Sequence, residues 1–380
     1  MVKFMSSKWR SIVSDPVRHR RALRCIDLIS ASLLSSNGEY RDASDPYLAS
    51  GNAGVAVFYA YRFASTKNPA DQQSANSILF ESLSAALETP VRPSFLFGLT
   101  GIGWTASHLS RLICLEFDIE PLLGDIDRLV QATLAKARDQ TFQHDLFGGL
   151  SGLGAYALER RHTVCGASCV REIVILLEQS AKHSSRGAYW TSPLRKESWT
   201  SGNTPPSEYS DLGMARGVPG VVAFLASAAA CGFSEATPLL DGAARWLVSQ
   251  NLPHDSESRL AVGAEPGFVF PDAHTAWCYG DPGVATAILA AARQLEDLEM
   301  ETMAVDTALA AAVRIPETVK TTDAGFCHGS AGLLHMFNRF HQATGCDLFV
   351  DASERWLDAR WMRLVSWMGW FQSNSSGHMK

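Results

Sequence analysis

The chain has 380 residues, of which 46% are hydrophobic and 19% charged, and it carries a formal net charge of −6. That composition suits a large buried core and excludes an intrinsically disordered chain. The lack of a basic excess argues against a nucleic-acid reader. The eight cysteines are too sparse for a disulfide scaffold at this length. Cys25 and Cys231 sit in apolar helical runs, as small hydrophobes of a reducing compartment do.

Met1 to Arg24 carries Lys and Arg with no apolar stretch behind them, so no signal peptide is expected. The longest apolar run, Val218 to Cys231, has about 14 residues, whereas a bilayer span needs roughly 20. A cytoplasmic protein with no transmembrane segment is the expectation.

From residue 51 onward a Gly-x-x-Gly pair followed by an apolar helical pattern recurs six times, beginning at Gly51, Gly98, Gly149, Gly217, Gly280 and Gly329. The intervals are 47, 51, 68, 63 and 49 residues. Between the pairs lie amphipathic stretches such as Asp125 to Asp139 and Ala243 to Leu252. This alternation predicts an all-α repeat domain over residues 1–380, with a buried, glycine-started inner helix and an amphipathic outer helix in each repeat. Glycine before each inner helix permits close backbone approach. Such repeats stack into an open solenoid or close on themselves; a closed ring would gather the glycine turns on one rim. Two stretches break the period, 184–210 and 251–273, and they are expected to be loops or small β-like insertions facing substrate. Past about residue 345 no further glycine pair occurs, so a seventh repeat would be incomplete. Trp356, Met362 or Val365, and Trp367 to Trp370 form the remaining amphipathic pattern.

Chemistry concentrates at the fifth and sixth pairs. Cys278 precedes Gly280 in Trp277-Cys278-Tyr279-Gly280, and Cys327 and His328 precede Gly329 in Phe326-Cys327-His328-Gly329. All three fall immediately before the glycine pair of their repeat, the two cysteines at the same phase, so a repeat fold brings them together. Two thiolates and one imidazole suit Zn²⁺ and leave its fourth position open, as a catalytic site requires and a structural site does not. Cys165 and Cys169 have metal-pair spacing but lie at a helix start away from any glycine pair, and are expected to serve packing only.

These motifs together, behind the repeated Gly-x-x-Gly pairs from about Leu48 to Phe340, resemble the bacterial lanthionine synthetase C-like (LanC-like) family. The resemblance implies an α/α toroid, a double ring of helices, holding one zinc per chain through Cys278, Cys327 and His328. It also implies site roles for Asp145, ahead of the third glycine pair, and for Tyr279, after the first zinc cysteine. The implied reaction is lanthionine or methyllanthionine formation in lantibiotic biosynthesis: a cysteine thiolate adds to dehydroalanine or dehydrobutyrine within a dehydrated precursor peptide. A free thiol, with a pKa of about 8.5, is mostly protonated at neutral pH; bound to a cation such as Zn²⁺ it is deprotonated. The enolate that follows needs electrostatic stabilisation and a proton. The implied partners are a lanthipeptide dehydratase and an ABC exporter, in a complex peripheral to the membrane.

The chain departs from the family pattern twice. Arg216 stands where a histidine usually precedes the fourth glycine pair, and His274 stands where an arginine usually precedes the first zinc cysteine by four residues. If the two positions face each other, the site keeps one imidazole and one guanidinium, with Asp145 orienting the imidazole and pairing with Arg216. Other readings remain open at this point. They are addition of glutathione to dehydroamino acids by a stand-alone relative, a catalytically silent scaffold of a synthetase complex, and, lacking an acidic pair for a diphosphate, a zinc-dependent prenyltransferase subunit.

Overall fold

In the computed structural model the described residues are 9–34, 42, 44–88, 92–138, 142–193, 206–253, 256–315, 319 and 323–361. Six helices start at the six glycine pairs: α2 (Asn52–Thr66), α4 (Leu99–Leu109), α6 (Leu150–Glu159), α8 (Val218–Ala230), α10 (Asp281–Leu295) and α12 (Ser330–Thr344). Each is followed by a partner: α3 (Pro69–Glu88), α5 (Glu120–Ala137), α7 (Val164–Ser180), α9 (Thr237–Val248), α11 (Leu298–Ala312) and α13 (Leu348–Trp356). An additional helix, α1 (Pro16–Leu33), precedes them. The inner and outer distinction is visible in burial. Ten of the thirteen residues of α8 are buried, including Val221, Phe224 and Leu225, which only a helix covered on nearly every side allows. In α9 the buried set is Leu239, Leu240, Ala243, Ala244, Trp246 and Leu247, a single stripe at helical spacing.

Two outer helices begin ahead of their amphipathic stretches. The amphipathic stretch from Asp125 falls in α5, which starts at Glu120, and the one from Ala243 falls in α9, which starts at Thr237. Pro121 and Pro238, each near the first helical position, mark those starts, because proline there gives up an N–H that has no intrahelical acceptor.

None of the six glycine-started helices has a side-chain N-cap. The preceding loop supplies carbonyls to the first amides instead. Asp45 O accepts from Asn52 N (2.8 Å), Arg92 O from Leu99 N (2.9 Å), Gln143 O from Leu150 N (2.8 Å) and Asp323 O from Ser330 N (3.2 Å). Each loop therefore folds back over its own helix start and satisfies amides that would otherwise lack partners. Glycine is what lets it come so close: a Cβ at Gly98 would overlap Arg92 O, and one at Gly101 would overlap Phe95 O.

The chain divides into two compact units, one comprising Ser30–Ser180 with Phe233–Glu235, the other Met1–Ile29, Ala181–Gly232 and Ala236–Lys380. In the first, α2 pairs with α3, α4 with α5 and α6 with α7, and α4 also contacts α2 and α6. In the second, α10 contacts α8, α11 and α12. This unit also holds β1 (Lys182–Ser184), β2 (Gly187–Tyr189), β3 (Ser192–Pro193), β4 (Glu208–Asp211) and β5 (Gly263–Ala264). The two insertions are β-like as expected, and they pair with each other: β4 is antiparallel to both β3 and β5, with Ser210 opposite Ala264 and Asp211 opposite Gly263.

Trp356 closes α13, the outer helix of the sixth pair, and is fully buried. Residues 362–370 of the expected amphipathic pattern lie outside the described residues. The region around α13 is joined to the start of the chain. Arg18 bonds Asp358 (2.8 Å from Nη2) and Glu354 (2.9 Å), and Cys25 and Leu357 form a small core with Val13, Leu28 and Leu334. No helix among the described residues is long and apolar enough to cross a membrane.

Candidate metal centre

The turns before the inner helices are stitched to one another by backbone bonds at one phase, two residues before the first glycine. Ala49 N donates to Leu96 O (3.1 Å), and Leu96 N donates to Phe147 O (3.2 Å). At the same phase of the fifth and sixth turns, Cys278 N donates to Cys327 O (3.1 Å). Cysteines 49 residues apart in sequence are thereby neighbours by backbone construction.

Their side chains converge with that of His328. One ligating atom from each of Cys278, Cys327 and His328 lies within 4.8 Å of the others, and this is the one such His/Cys/Asp/Glu group among the described residues. Donors about 2.3 Å (sulfur) and 2.0 Å (nitrogen) from a tetrahedral zinc stand about 3.5–3.8 Å apart, so the residues fit a zinc ion. Both cysteines are half-buried and His328 is exposed, which leaves the group open on one side. The Cys327 thiol donates to Cys278 and pushes the Cys278 thiol down to about 6, against burial and with help from the Tyr279 N–H and His328. Cys327 is pushed up in return. Two thiols in contact beside an imidazole suit thiolate ligation of a metal.

Two carboxylates that the sequence reading missed support this centre. Asp323 Oδ2 is 3.0 Å from His328 Nε2, while its Oδ1 accepts from Gly325 N (2.6 Å). A carboxylate beside a ligating imidazole fixes the ring and raises its basicity. Asp211 is buried; its Oδ2 accepts from Tyr279 Oη (2.5 Å) and Tyr209 Oη (3.0 Å), and its Oδ1 from Gly213 N (2.7 Å). Burial pushes its carboxyl above the ordinary range, opposed by these donors and by the Arg216 charge. The signal was available: both aspartates, like Asp45, stand six residues before the first glycine of a pair.

The other expected site residues fall as follows. Tyr279 is half-buried, and burial followed by the Asp211 charge pushes its phenol up. Arg216 is exposed, and its charge acts on Asp211, Tyr209, Tyr279 and Cys327, so it lies in the field of the cysteine group. His274 is exposed, six residues before Gly280, with its carbonyl against the Gly280 Cα. Asp145 belongs to the other compact unit. It is buried, and its Oδ1 accepts from Gly148 N (2.9 Å) and Gly149 N (3.2 Å), which folds the third turn. Cys165 and Cys169 lie on α7 outside the metal-ligating group, with Cys169 buried and its thiol pushed up to about 12 by burial.

Glycine-started helix pairs carrying an open Cys-Cys-His group define a helical-repeat protein with a thiolate-rich, metal-fitted centre. Residues 42–357 match the family described as "Lanthionine synthetase C-like protein", and the chain belongs to that family. A solved structure named nisin cyclase is similar, with a TM-score of 0.67 and 18% sequence identity over 90% of this chain and 86% of that one. A sequence search of curated proteins finds no match. The structural likeness establishes the fold as the LanC-like α/α toroid.

Proposed function

We propose that this protein is a zinc-dependent peptide cyclase. It joins a cysteine thiol to dehydroalanine or dehydrobutyrine in a dehydrated precursor peptide, forming lanthionine or methyllanthionine. The observation that carries the proposal is the convergence of Cys278, Cys327 and His328, with no fourth such donor among the described residues. A zinc ion held by these three side chains would have a position left for the substrate thiol and would favour that thiol as thiolate at neutral pH.

The chain's own residues supply the rest. Attack of the sulfur on the β-carbon places negative charge on the carbonyl oxygen of the acceptor residue, and Arg216 contributes the fixed positive charge for that enolate. His274 delivers the proton to the α-carbon, because a guanidinium with its pKa above about 12 is no general acid at neutral pH. The setting we propose is lantibiotic biosynthesis in the cytoplasm, beside a dehydratase and an ABC exporter.

The test is incubation of the zinc-loaded protein with a dehydrated, cysteine-containing peptide, followed by alkylation of free thiols and mass measurement. Cyclisation itself changes no mass, so the expected result is peptide that resists alkylation. Full alkylation, equal to that of a control without protein, would overturn the proposal. His274→Ala should slow cyclisation by roughly 10²- to 10⁴-fold with zinc retained.

A second reading, a catalytically silent scaffold of a synthetase complex, is favoured by one observation. Arg216 occupies the place of the usual family histidine and is exposed. Zinc binding without any loss of free thiol would select it.

A further inference from the structure

Resting on the cyclase reading, we propose that Asp211 is a positioning residue for that reaction: it clamps the Tyr279 hydroxyl and so fixes the phenol that follows ligand Cys278. Four observations converge on it. The carboxylate is buried, 2% exposed, and Oδ2 takes both phenolic hydroxyls while Oδ1 takes the Gly213 amide. Gly213 leaves the space in which the Tyr279 ring lies, since a Cβ there would be 2.7 Å from Tyr279 Cε1 and from Cys278 O. Gly263 of β5 does the same for Tyr209, where a Cβ would be 2.6 Å from Cδ2. The Tyr209 ring also stacks on Phe270 of the second insertion, with centroids 5.4 Å apart.

The two insertions thus acquire a purpose. Strand β4 carries Tyr209 and Asp211 on one face, at i and i+2, and its pairing with β5 fixes the height at which Asp211 meets Tyr279. Because the hydroxyl hydrogen of Tyr279 is given to Asp211, the phenol offers substrate only an acceptor oxygen and a ring edge. The role of general acid therefore falls to another group, in agreement with its assignment to His274. Asp211 also lies in the field of the Arg216 charge.

The experiment uses the full-length chain with isotope-labelled tyrosine, the Tyr279 resonance being assigned by its loss in Tyr279→Phe. Three variants are compared: Asp211→Asn, which keeps an acceptor for the Gly213 amide, Tyr279→Phe, and the double variant. The expected results are a shifted Tyr279 resonance in Asp211→Asn with zinc content unchanged, and kcat lowered roughly 10- to 100-fold with little change in KM. In the Tyr279→Phe background, Asp211→Asn should add almost nothing to the loss. An unmoved Tyr279 resonance, or equal losses in both backgrounds, would overturn the clamp. If Asp211→Asn fails to fold, Tyr279→Phe decides: kcat equal to wild type overturns the proposal. A wild-type protein that cyclises nothing overturns the cyclase reading, and the resonance still reports on the clamp.

Discussion

The first three glycine turns and the last two use one backbone device for different ends. In the unit of α2 to α7, the residues two before the first glycine are Ala49, Leu96 and Phe147, and the turns add aromatic contacts such as Phe97 against Phe147 (5.9 Å between centroids). In the unit of α8 to α13 the same phase carries Ala215, Cys278 and Cys327, and the next residue is Arg216, Tyr279 or His328. The amide-to-carbonyl link from Leu96 to Phe147 and that from Cys278 to Cys327 differ by only 0.1 Å, at 3.2 and 3.1 Å. The main chain therefore sets where the side chains stand, and the side chains at two adjacent positions set the chemistry. Scaffold and reactivity are separable in this fold.

That separation makes its strongest prediction at Cys327. Cys327→Ala keeps the carbonyl that receives Cys278 N, so the metal-free variant should unfold at the same midpoint as metal-free wild type, while losing nearly all its zinc. Metal analysis with thermal unfolding checks both halves, and full zinc occupancy in the variant would break the comparison.

Glycine replacement should do the reverse and damage scaffold before chemistry. A Cβ at Gly101 would overlap the Phe95 carbonyl, an immobile backbone atom, so Gly101→Ala should cost about 3 kcal/mol, the cost of overpacking. Gly124, inside α5, meets nothing nearer than the flexible end of Arg128 at 3.7 Å. Gly124→Ala should instead stabilise by about 0.5–1 kcal/mol, because alanine loses less chain entropy in a helix. Urea unfolding of the two variants would show opposite signs; equal shifts would mean that close approach is not why the turns need glycine.

A smaller effect distinguishes the third turn. Burial pushes His144 down to about 4, below its unfolded value of about 6.5, so the folded state holds it neutral. A base depressed on folding contributes stability that is complete above the unfolded value and is lost as pH falls toward the folded one. From about pH 7.5 to about pH 5 the loss should be roughly 2 kcal/mol. His144→Gln should flatten that slope, measured by denaturant unfolding at several pH values.

The legible part of this protein was what repeats. Glycine pairs marked the inner helices, and the shared phase of Cys278 and Cys327, with His328 next to the second, marked their convergence. Asp211 and Asp323 share a phase, six residues before a glycine pair, but that phase does not name their partners, Tyr279 for Asp211 and His328 for Asp323. No local period marks a phenol meeting a carboxylate 68 residues away. The starts of α5 and α9 are marked by proline, ahead of the polar periodicity that follows.

X-ray absorption at the zinc edge tests the central claim, an open site that accepts a substrate thiol, most directly. The zinc-loaded protein should show two sulfur donors at about 2.3 Å and one imidazole nitrogen at about 2.0 Å, with a light exchangeable fourth donor. Addition of a cysteine-containing peptide should raise the sulfur count to three. Four protein donors, unchanged by the peptide, would contradict the account.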